Sequence, residues 1–164
     1  MPVYAVIVFM VYTWTIYTFI RYLPYWLNFL NVSEILAIFS YAMLSDFFES
    51  LGILCLLLGF CIVLPAKILR EAFVARGTLV ILCLLSTTII YLNYYAKIGS
   101  STLLLFILCS LVVIAATMIL SFVSAKNRVI MLGVEWLSNN TIIFLYIYIP
   151  ITILSLVNIL FRNL

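Results

Sequence analysis

Few side chains in this sequence are equipped for chemistry, and six of the thirteen charged ones lie in one stretch, 45–77, which reads SDFFESLGILCLLLGFCIVLPAKILREAFVARG. Asp46 and Glu49 stand at its front. Three residues apart on a helix, two carboxylates share a face. At membrane depth such groups are costly and usually functional, so the pair is a candidate for binding a cation or relaying protons at a pore mouth. The competing reading is a solvated first helical turn at the interface, where the helix dipole favours acids. Lys67, Arg70, Glu71 and Arg76 stand at the other end. They suit anionic lipid headgroups or an acidic partner surface, or they simply mark the cytoplasmic side. On a helical wheel Lys67, Arg70 and Glu71 fall opposite Ile68, Leu69, Ala72 and Phe73, the pattern of a short helix lying on a membrane surface.

Much other chemistry lacks its residues. The chain has no histidine, the commonest general base and metal ligand. The four cysteines, Cys55, Cys61, Cys83 and Cys109, sit in apolar runs without CxxC or metal-ligand spacing. Serine nucleophiles have no histidine base, and no GxSxG or glycine-rich phosphate loop occurs. No enzymatic activity and no cofactor are therefore expected. A chlorophyll or quinone would not require histidine, but nothing in the sequence motivates one. No basic run is long enough for a nucleic-acid footprint.

The elements that position these residues follow from composition. Of 164 residues 68% are hydrophobic and only 8% charged, against about 25% charged in a soluble domain. Lipid is the expected solvent, and the expected fold is an all-α integral membrane protein. It would be a bundle of about five transmembrane helices with short interfacial helices, forming a single polytopic domain over the whole chain. Apolar runs predict spans at 3–20, 46–64, 78–95, 102–123 and 141–161. Residues 22–45 are interrupted by Pro24, Asn28, Asn31 and Glu34. They are expected to lie in or re-enter the interface and to end at Asp46, with one long projecting helix as the alternative. In that segment Ser33 is a possible cap for a helix starting at Glu34. Residues 124–140 read as a second cytoplasmic segment holding Lys126, Arg128, Glu135 and Trp136. Five bases (Lys67, Arg70, Arg76, Lys126, Arg128) against three (Arg21, Lys97, Arg162) place the N-terminus in the cytoplasm and the C-terminus outside. The membrane would be a bacterial inner membrane or an equivalent energy-transducing or organelle membrane.

Two weaker features complete the reading. Gly52, Cys55 and Gly59 form a small-residue stripe of the kind that admits a neighbouring helix. Pro150, with Tyr146 and Tyr148 just before it, suggests a kink or a ligand-facing notch. The expected function is an accessory or scaffold subunit without its own active site, packing against lipid and against larger membrane proteins or copies of itself. The alternative is a small transporter or channel-forming subunit using Asp46 and Glu49.

Overall fold

The computed structural model describes residues 2–63, 73–98, 107, 111–113, 115–116 and 128–163. Their long helices are α1 (Pro2–Trp26), α2 (Val32–Val63), α3 (Phe73–Ile98) and α4 (Arg128–Asn163), and no strand occurs among the described residues. All four helices are long and apolar enough to cross a membrane. The span expected at 102–123 falls mostly outside the described residues, and those that are described within it are helical.

Helix boundaries follow local chemistry. Pro2 opens α1, where a missing N–H costs nothing. Pro24 lies in the last turn of α1, and a tight turn follows, closed by Leu27 N–H to Leu23 O at 3.0 Å and Leu30 N–H to Trp26 O at 2.8 Å. Asn31 then caps α2. Its carbonyl accepts from Glu34 and Ile35 at 2.9 and 3.0 Å, and its own N–H donates to the Glu34 carboxylate at 2.9 Å. That returning bond is one half of a capping box, with Glu34 at the third helical position.

This cap moves the helix start away from both sequence-based positions. Ser33 is not the cap, and no boundary falls at Asp46. Residues 22–26 finish α1, and 32–45 form the first half of a 32-residue α2. Between Asn31 and Val63 the chain has no proline and only two glycines. A change from apolar to acidic side chains does not end a helix. The same reasoning applies at the C-terminal end. A boundary was expected near residue 140, but α4 runs unbroken for 36 residues through it and through Pro150.

The helices contribute to two compact units. One comprises Val3–Leu56 with Thr141–Leu164, and the other comprises Leu57–Asn140. The core of the first gathers Ala5, Val8 and Tyr12 of α1, Met43 of α2, and Leu145 and Tyr148 of α4. Ring pairs tie α1 to α4: Tyr12 lies 4.8 Å from Tyr148 and Phe9 lies 4.6 Å from Phe144, between centroids. Such pairs contribute about 0.5–1.5 kcal/mol each. In the second unit Ala75, Thr78 and Ile81 of α3 are buried, and Thr87 and Thr88 donate back to their own helix at Cys83 O and Leu84 O. These two hydroxyls are thereby satisfied locally.

Apolar side chains also cover the outside. Ile62 and Phe161 are 76% and 77% exposed, and patches of this kind on a water-soluble monomer mark an interaction surface or a liability. Met43 is fully buried at the centre of the first core. Met43→Ala is expected to lower stability in detergent by on the order of 2 kcal/mol, through lost packing, while Leu58→Ala, on an exposed face, is expected to change it little. Denaturant titration of the purified protein followed by circular dichroism checks both.

Candidate ion site

Polar residues line the buried faces of three helices in the first unit. On α2 the buried set is Ser40, Met43, Asp46 and Ser50. On α4 it is Thr141, Leu145, Tyr148, Thr152 and Ser155, spaced alternately four and three apart, the repeat that keeps one face toward its neighbours. From α1 come Tyr4, Tyr12, Thr13 and Thr15. Hydrogen bonds cross between these helices. Tyr12 OH meets Thr152 Oγ1 at 2.7 Å, Thr13 Oγ1 meets Tyr148 OH at 3.3 Å, and Tyr4 OH meets Ser50 Oγ at 3.4 Å. Asn158 Nδ2 donates to Ser40 Oγ at 2.8 Å.

Asp46 sits within this seam. It is 4% exposed, and Thr15 Oγ1 donates to its Oδ1 at 2.8 Å. Its second oxygen, Oδ2, is buried and accepts no hydrogen bond among the described residues. The neighbouring hydroxyl protons are engaged elsewhere. Thr152 donates to Tyr148 O and Ser50 to Phe47 O, so the phenol protons of Tyr12 and Tyr4 serve Thr152 and Ser50. The cations of the same unit, Arg21 and Arg162, are exposed, and Arg162 reaches only Ser33 O, at 3.5 Å. Asp46 lies 14 residues from the start of α2 and 17 from its end, about 21 and 26 Å at 1.5 Å per residue. Any stretch of α2 about 30 Å long, the thickness of a hydrocarbon layer, therefore contains it.

Among the other predicted site residues, Glu49 is exposed, and its charge still reaches the buried Asp46. Arg76 is half-buried in the first turn of α3, in residues read from sequence as loop. Lys67, Arg70 and Glu71 lie outside the described residues. Tyr146 and Pro150 are exposed, while Tyr148 is buried. Cys55, Cys61 and Cys83 are thiols not joined in disulfides. No group of three histidine, cysteine or acidic side chains among the described residues is placed to hold a metal.

A cavity of about 280 Å³ lies beside the seam, lined by Tyr4, Val8 and Tyr12 of α1, Leu44 and Phe47 of α2, and α4 residues that include Tyr148 and Thr152. Leu44 and Phe47 flank Asp46 in sequence, but the carboxyl itself is not part of the wall. No family model, curated protein or solved structure matches this chain.

Sequence reasoning missed the partners Thr15, Tyr12, Thr152, Ser40, Ser50 and Asn158. Their spacing was the available signal: Ser138, Thr141, Thr152 and Ser155 fall on one α4 face, and Ser40, Asp46 and Ser50 on one α2 face. Removing the Thr15 hydroxyl leaves both carboxyl oxygens of Asp46 without a protein donor. In a double-mutant cycle of Thr15→Val with Asp46→Asn, the expected coupling is about 1 kcal/mol or more, above the roughly 0.6 kcal/mol average for hydrogen bonds between membrane helices. Unfolding of the four purified variants measures it.

Proposed function

We propose that this chain is an integral membrane protein that carries a small ion through the Asp46 carboxyl, as a small transporter or a channel-like subunit. One observation carries this reading: a carboxyl 4% exposed, half-way along an apolar helix, with one oxygen unpartnered. Packing alone has no use for such a group, because removing charge from water costs several kcal/mol, whereas ion pathways require one. On this reading Asp46, and not the exposed Glu49, is the ion-binding group. The excess of bases in 65–77 and 124–140 favours a cytoplasmic placement for those segments, with the N-terminus inside and the C-terminus outside.

A second reading, an accessory or scaffold subunit binding other membrane proteins or a second copy, is favoured by the stripe Gly52, Cys55 and Gly59. A Cβ added at either glycine meets nothing within 4 Å among the described residues, leaving room for a close helix approach.

Liposomes containing only this protein separate the two. Under the ion-carrying reading, an imposed ion gradient drives flux that falls about tenfold or more in Asp46→Asn. Flux no greater than in protein-free liposomes, together with a stoichiometric membrane partner retained through mild detergent purification, favours the scaffold.

A further inference from the structure

We infer that the ion held by Asp46 is a bare proton, not a sodium, potassium or divalent cation. This rests on the reading of Asp46 as the ion-binding carboxyl and adds the identity of its ligand.

Metal cations need more oxygen ligands than this site gathers. A calcium ion takes 6–8 oxygen ligands and magnesium needs near-octahedral coordination. Around Asp46 the structure offers one carboxyl, of which Oδ1 already accepts from Thr15 at 2.8 Å. The other hydroxyls of the seam are turned to one another, Tyr12 with Thr152 at 2.7 Å, Tyr4 with Ser50 at 3.4 Å and Thr13 with Tyr148 at 3.3 Å, and apart from Thr15 no hydroxyl among the described residues bonds Asp46. The second acid, Glu49, acts on Asp46 by its charge but is itself exposed, and no group of three histidine, cysteine or acidic side chains gathers there among the described residues. The flanking residues Leu44 and Phe47 face the adjacent cavity with apolar side chains. A proton asks for far less. It needs one lone pair, and Oδ2 presents one with no hydrogen bond made to it.

The step balances simply. Hydronium transfers a proton to Oδ2, an O–H bond forms as one breaks, water is left, and the carboxylate passes from −1 to neutral. Release to water reverses each change. Thr15 holds the other oxygen throughout and acts as a positioning residue. The titratable groups whose charge reaches Asp46 are Glu49 on its own helix and the Tyr12 phenol of α1, with Tyr148 of α4 4.8 Å from the Tyr12 ring and Tyr4 of α1 lining the same cavity as Tyr12. A phenol has no C=O bond, so a protonated-carboxyl band cannot arise from the tyrosines, and substitution separates Asp46 from Glu49.

Infrared difference spectroscopy of the full chain in lipid nanodiscs, stepped between acidic and neutral pH, tests this. The expected result is a protonated-carboxyl C=O band that rises on acidification, is lost in Asp46→Asn, shifts in position in Asp46→Glu and persists in Glu49→Gln. Its position is unchanged when sodium, potassium or calcium is added. The inference is overturned if the pH difference spectra of wild type and Asp46→Asn are the same, or if added cation at fixed pH shifts the Asp46 carboxylate bands. Should Asp46→Asn not fold, the band shift in Asp46→Glu decides alone, and its absence counts against the proposal. A titrating Asp46 band without Asp46-dependent flux upholds the proton and removes the transport reading. Flux driven by a sodium gradient and lost in Asp46→Asn does the opposite.

Discussion

A carboxyl group enclosed by apolar helices is the constraint on which the first unit turns. An unpaired charge in a low-dielectric interior is among the most expensive features a protein can hold. Asp46 is 4% exposed and has no cationic partner among the residues of its unit. What surrounds it is a set of hydroxyls and one amide on the facing sides of α1, α2 and α4. Thr15 supplies the direct bond, and the pairs Tyr12–Thr152, Thr13–Tyr148, Tyr4–Ser50 and Asn158–Ser40 fasten the three helices around it. Each bond contributes modestly. Together they fix which face of each helix points inward, a choice that apolarity alone leaves open when a helix is apolar on all sides.

That last point explains the division of labour between packing and polarity. Lipid tails are as apolar as leucine, so burial of leucine gives one helix little reason to prefer another. Close ring contacts and interhelical hydrogen bonds supply the preference instead. Tyr12 does both: it packs 4.8 Å from Tyr148 and bonds Thr152. In a bilayer, the exposed leucines, isoleucines and phenylalanines of α2 and α4 would need no protein partner.

The helical architecture was legible in the sequence because composition and run length dominate it, and the four long helices coincide in the main with apolar runs. Boundaries were less legible. Asp46 read as an end because charge was taken as a sign of water, yet the end is set at Asn31 by a backbone carbonyl and a returning Glu34 carboxylate. The candidate site was half legible. Asp46 was singled out on cost, but its environment required knowing that Thr15 and Tyr12, 31 and 34 residues earlier, and Thr152, 106 residues later, come together. Asp46 and Glu49 differ in burial for a geometric reason: positions three apart are about 60° apart around a helix, enough to bury one and expose the other.

The central claim is that Asp46 sits at hydrocarbon depth and not at a water interface. Phe48 lies two residues on and is 65% exposed on the outer face of the same helix, so it reports that depth without disturbing the carboxyl. A spin label at Phe48→Cys, in a background whose native cysteines are replaced by alanine, is expected to relax readily with lipid-soluble oxygen and hardly at all with a water-soluble nickel chelate. Free access of the nickel chelate to that label would contradict the account.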